Sequence, residues 1–125
     1  MTAHKYFTPQ EANQRLPYVH KIVAEILDKG KRLQALTILP HATESIQTEC
    51  EKLEDQIEVL MEELQALGCF FKDWNFEIGL VDFPARIDGQ EVLLCWRSDE
   101  PRVQWYHGFE EGYTGRKPIP QHLLV

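Results

Sequence analysis

Ile46, Cys50, Leu53, Ile57, Leu60, Leu64 and Leu67 recur at alternating steps of four and three without a slip. Only an α-helix turns that spacing into one continuous face, because 3.6 residues per turn bring every third or fourth side chain back to the same side. Gly68 follows, placed to end the helix in the left-handed conformation. A preceding segment has the same rhythm in Ala12, Leu16, Val19, Val23, Ile26, Gly30, Leu33 and Thr37. Thr8 can cap it, Pro9 suits the first helical position and Glu11 completes a Thr-x-x-Glu capping box. Pro17 lies inside this pattern and removes a backbone donor, which predicts a kink or a broken first turn. Leu39-Pro40-His41 stops the first helix, since the residue before proline disfavours helical angles. The link is short, so the spacing predicts an antiparallel helical hairpin over residues 8–68 with coiled-coil-like packing. Lys29, Lys31 and Arg32 near the end of one helix face Glu44, Glu49 and Glu51 near the start of the next, and each set complements its own helix dipole.

Helices of this length, about 40 Å at 1.5 Å per residue, carry more apolar edge than a small sheet can cover. A homodimer joined through the helices, with a four-helix core, is therefore expected. The second helix also carries eight acidic residues against Lys52 alone. Such a run is ordinarily a solvated face, and its functional version is an acidic patch for a basic partner.

After Gly68 the composition changes: ten of the 13 aromatic residues lie in 69–125. Ile78 to Arg86 and Glu91 to Arg97 read as strands joined at Asp88-Gly89, a strong hairpin signal. On the second strand Val92, Leu94 and Trp96 share one face, and Leu93, Cys95 and Arg97 the other. Ser98-Asp99-Glu100-Pro101 turns the chain into a third strand, Arg102 to His107, in which Val103, Trp105 and His107 alternate with Arg102, Gln104 and Tyr106. The remainder, with three glycines and two prolines, reads as a loop-rich tail. The predicted fold is α+β: a long antiparallel helical hairpin, then a short antiparallel three-stranded meander, in one domain spanning 1–125.

A net charge of −7 argues against nucleic acid and anionic membranes as partners, since both call for a basic surface. No stretch after Met1 resembles a signal peptide, and no window approaches the roughly 20 apolar residues of a membrane span. Cys50, Cys69 and Cys95 are odd in number and widely spaced, which predicts free thiols and a cytoplasmic location.

Several blocks are characteristic together: Tyr6-Phe7-Thr8 with Glu11-Ala12-Asn13 and Leu16-Pro17; Gly79-Leu80-Val81-Asp82-Phe83-Pro84-Ala85; Glu91-Val92-Leu93-Leu94-Cys95-Trp96-Arg97; and Gly115-Arg116 before Pro118-Ile119. In these the chain resembles an uncharacterised prokaryotic family, domain of unknown function twenty-two-oh-three. It departs from that pattern at Tyr106, where Trp is expected directly before His107. The resemblance covers nearly the whole chain and implies no activity.

Two constellations could carry chemistry. Arg97, Arg102, Arg116 and Lys117 lie near Trp96, Trp105, Tyr106 and Tyr113. Arginine forks bind carboxylate or phosphate bidentately, and aromatic faces hold planar groups. This predicts a small anionic ligand at Arg97, Arg116, Trp96, Tyr106 and His107, against a bland alternative of weak surface ion pairs with Glu91, Glu100 and Glu110. The other constellation is a divalent metal held by Cys95, His107, Glu100 and Asp82, with Glu110 and Glu111 nearby, although no ligand motif is present. Its bland counterpart is a packed cysteine and a hydrogen-bonded strand histidine. Asp82 before Phe83-Pro84 is the carboxylate in the most apolar setting, or simply a turn cap at a strand edge. The leading reading is a non-enzymatic, homodimeric ligand-binding or interaction module. The alternative is a metal-dependent enzyme built around Cys95 and His107.

Overall fold

The structure is a computed structural model that describes residues 6–72 and 75–124. Residues 1–5, read above as lacking a leader, and Val125 at the end of the tail lie outside the described residues.

Helix α1 spans Pro9–Thr37 and α2 spans Glu44–Leu67. The predicted capping box is present: Thr8 Oγ1 accepts from the Glu11 amide, and Glu11 Oε1 accepts from the Thr8 amide. Helix α1 runs unbroken through Pro17. At its C-terminus α2 meets Gly68 at φ 96°, where the Cys69 amide reaches back to the Leu64 carbonyl. Thr43, a cap not read from the sequence, accepts from the Ile46 amide at the other end. The expected charge pairing across the hairpin appears as Arg32 with Glu49 at 3.3 Å. Both side chains reach solvent, so this pair contributes little to stability. No described helix is long and apolar enough to cross a membrane.

Among the described residues five antiparallel strands follow in chain order: β1 Phe70–Phe71, β2 Leu80–Ile87, β3 Gln90–Arg97, β4 Trp105–His107 and β5 Lys117–Pro118. The central hairpin turns at Asp88 (φ 52°) and Gly89 (φ 77°). Two successive positive φ values match the right-handed twist of the flanking strands. Pro84 sits within β2 without cost, because its side of the strand faces away from β3: its carbonyl accepts from the Phe7 amide at 2.7 Å.

The meander has two strands more than expected, and its third expected strand is shorter. Residues 102–104 are not strand, because Asn13 of α1 stands in for a neighbouring backbone there. Asn13 Oδ1 accepts from the Val103 amide (2.7 Å), and its Nδ2 donates to the Val103 carbonyl (3.1 Å). Val103 is thereby drawn into the core, so the expected alternation of Val103 with Trp105 and His107 does not hold. Strand β2 starts two residues later than expected, at Leu80. The glycine-rich tail contributes β5, two 3-10 turns at 113–115 and 121–123, and the buried Ile119.

One face of the sheet, with Val81, Phe83, Ala85, Val92, Leu94 and Trp96, packs on Ala12, Leu16, Val19, Val23, Ile26, Ile57, Leu60 and Leu64. The helical stripe is thus buried within one chain from Ala12 to Ile26 and from Leu53 to Leu64. Towards the interhelical turn Leu33, Ile46 and Cys50 are only half-buried, and Ile38 and Leu39 are exposed.

Candidate functional site

The face of the sheet turned away from the helices carries the chemistry. Register places Asp82 opposite Cys95, and Cys95 opposite Trp105; the adjacent row pairs Leu93 with His107. Side chains on directly paired residues point to the same side of a sheet. Asp82, Cys95 and His107, from three successive strands, therefore converge. Their candidate ligand atoms all lie within 4.8 Å of one another, and all three residues are buried. They form the floor of a cavity of about 280 Å³, walled by Lys72, Leu80, Leu93, Phe109, Gly112 and Tyr113.

The protonation pattern of this floor is constrained by His107. Its Nδ1 lies 2.8 Å from the Gly108 carbonyl oxygen, which can only accept, so Nδ1 carries a proton. In the neutral ring Nε2 is then a bare lone pair, 3.2 Å from Asp82 Oδ1. Two acceptors that close require something positive between them, either a shared proton or a cation. Burial lifts the Asp82 carboxyl above its usual range, against the lowering influence of His107 and Lys72. Burial, reinforced by the Asp82 charge, pushes the Cys95 thiol up to about 12. Without a metal Cys95 is therefore a neutral thiol near pH 7 and a poor nucleophile. A bound cation reverses this, because metal coordination deprotonates a thiol outright.

Of the four residues expected to hold a metal, Asp82, Cys95 and His107 come together, whereas Glu100 does not join them. Glu100 receives the Arg116 guanidinium at 2.6 and 2.8 Å and accepts from the Arg97 amide at 2.8 Å. Arg116 also donates to the Cys95 carbonyl at 3.3 Å, with its guanidinium 5.0 Å from the Trp105 ring centre and 4.9 Å from that of Tyr113. Arg97 binds Asp99 at 2.6 Å and the Tyr113 hydroxyl at 2.6 Å. Both arginines thus engage Tyr113, which forms one wall of the cavity. The other residues expected at an anion site are divided: Trp96 is fully buried on the helix side and donates to the Glu100 carbonyl, and Tyr106 packs against the same core. Only His107 of that set lies in the floor.

Lys72 and Phe109 were not singled out from the sequence. Lys72 follows a two-residue strand with no periodic signal, and its amide is pinned to the Leu80 carbonyl at 2.7 Å. Phe109 precedes Glu110-Glu111 in a segment that reads as loop.

The family described as uncharacterized conserved protein (DUF2203) matches residues 5–119. No curated protein and no solved structure matches the chain.

Proposed function

We propose that this chain, which belongs to the uncharacterized conserved protein family DUF2203, binds one divalent transition-metal ion at Asp82, Cys95 and His107 and presents it to a small molecule in the cavity above. The observation that carries this reading is the approach of His107 Nε2 to Asp82 Oδ1 while Nδ1 donates to Gly108, with Cys95 completing the floor. A histidine that donates its second nitrogen to a backbone carbonyl has the tautomer and orientation a metal ligand needs. Mixed sulfur, nitrogen and oxygen donors suit zinc or a neighbouring first-row ion. Three protein ligands would leave a tetrahedral ion one position for a water or substrate oxygen, and the same residues line the cavity. That arrangement belongs to sites where the ion polarises a water or a substrate oxygen. The cavity and the open position favour this over a purely structural metal.

The test is metal content and zinc affinity of the purified protein, beside His107→Ala and Cys95→Ala. Wild type should take up one equivalent of zinc, and each variant should lose stoichiometric binding while keeping its circular dichroism. Failure of wild type to bind zinc, or retention of the metal by His107→Ala, would sink the proposal.

A second reading keeps the interaction module expected from the helices. Half-buried Leu33, Ile46 and Cys50, with exposed Ile38, Leu39 and Val59, support self-association through the part of the hairpin that the sheet does not cover.

A further inference from the structure

The walls of the cavity bear on what it accepts. A divalent ion with the Asp82 carboxylate, the Cys95 thiolate and neutral His107 sums to zero charge. The Arg116–Glu100 pair behind Cys95 contributes opposite charges that offset each other. What remains is Lys72, which lines the cavity and makes no ion pair among the described residues, although its field reaches Asp82. Among the described residues Arg97 is held by Asp99, and Glu111 accepts from the Gly108 amide and lies 3.9 Å from Lys117. This leaves Lys72 as the cation open to the cavity, an exposed positive charge at its rim that favours a single anion. Beside Gly112 and Tyr113, the rest of the wall is apolar. Leu80 and Leu93 flank the floor, and Phe109 lines the cavity while keeping 57% of its surface exposed, so its ring is open to an incoming apolar group. At about 280 Å³ the space is near the lower end of ligand cavities, which run from roughly 300 Å³ upwards.

Resting on the metal reading above, we infer that this cavity binds a small carboxylate with a short hydrocarbon body. Its charged end lies between the open metal position and Lys72, and its apolar part lies against Leu80, Leu93 and Phe109. Inorganic phosphate shares the charge but has nothing to place on the apolar wall, so carboxylates of three to five carbons are preferred to it.

The experiment uses the full chain loaded with cobalt(II), whose thiolate charge-transfer and ligand-field absorption report on the site directly. The cobalt protein is titrated with acetate, butyrate and phosphate. Butyrate should perturb the ligand-field bands saturably and more tightly than acetate, by up to roughly fourfold for each methylene enclosed. Phosphate should bind more weakly than butyrate. Lys72→Gln should weaken both carboxylates about tenfold with the charge-transfer band intact, the loss expected when one near-surface ion pair is removed from a recess. Phe109→Ala should reduce the preference for butyrate over acetate and leave acetate binding unchanged. A cobalt band that none of the anions moves, a response as strong in Lys72→Gln, or tighter binding of phosphate than butyrate would overturn the inference and leave the metal site standing. Absence of the charge-transfer band would overturn the metal reading and this inference together.

Discussion

At the scale of single residues, the floor of the cavity holds groups that stability alone would not select. Asp82 is a buried carboxylate whose pKa burial raises, so in the metal-free protein its ionisation costs stability as pH rises through its folded-state value. Asp82→Asn removes that cost and still offers an N–H to the bare Nε2 of His107. We expect the metal-free variant to match or exceed wild-type stability, within about 1 kcal/mol, while zinc affinity falls by at least tenfold. Urea unfolding with and without chelator separates the two effects, and a large loss of stability in chelator would contradict the protonation argument. Cys69 is buried beneath the end of α2, its thiol pushed up to about 12 from 9.0 by burial. The unfolded chain loses this proton first, so stability should decline above pH 9 by about 1.4 kcal/mol per pH unit from this group. Cys69→Ala should remove this share of the alkaline decline in a series of denaturation curves and leave the share of Cys95, whose thiol is raised to the same value. Cys95, His107 and Asp82 were legible in the sequence as ligand types. Lys72 was not, because only a tertiary neighbour gives a lone lysine meaning.

At the scale of elements, the helical hairpin follows from local rules and the sheet from a longer-range one. Capping box, stripe and terminal glycine are written within a few residues of where they act. The third strand is not, since Asn13, 90 residues away, takes both backbone groups of Val103. Asn13→Ala should therefore cost about 2–3 kcal/mol, well above an ordinary surface helix substitution, because it strands buried backbone groups. Asn13→Asp should recover only the bond from the Val103 amide. Gly30 offers a test with reversed sign. In a helix interior Gly→Ala is worth up to about 1 kcal/mol of stability. Here an added methyl would overlap the Phe76 ring, so Gly30→Ala should destabilise, and Phe76→Ala should relieve the penalty in a double-mutant cycle.

At the scale of the whole molecule, the sheet serves as both core partner and site. Its inner face covers the stripe that otherwise argues for a dimer, and its outer face carries the cavity. In the second reading self-association draws on the outer surface of the hairpin, from half-buried Ile46 near the interhelical turn to exposed Val59. Val59→Glu with Ile46→Glu should dissociate any oligomer without unfolding the chain. A monomeric mass for wild type in sedimentation at micromolar concentration would remove that proposal. Zinc binding should in turn be visible in global stability. At a hundredfold excess over Kd it adds about 2.7 kcal/mol, a rise in Tm on the order of 10 °C for a domain of this size. It also releases the Cys95 proton, together with the proton shared between Asp82 and His107, so affinity should climb at least about tenfold per pH unit through neutrality. Pairing zinc titration with a proton-release assay checks both at once.

The sequence by itself determined two amphipathic helices, the Thr8 capping box, the Gly68 stop, the Asp88-Gly89 hairpin and the two-faced pattern of β3, because each depends on contacts within about a turn or across one tight loop. The kinds of residue able to hold a metal were also readable, and so was the family to which the chain belongs. Only the tertiary structure decided which of them meet. It turned Arg97 and Arg116 onto Asp99, Glu100 and Tyr113, and brought Asp82, Cys95 and His107 together. The physical reason is that side-chain alternation assigns a residue to a face, but strand register and the path of the covering loop assign it a neighbour. Those are set by long-range pairing that no local pattern encodes.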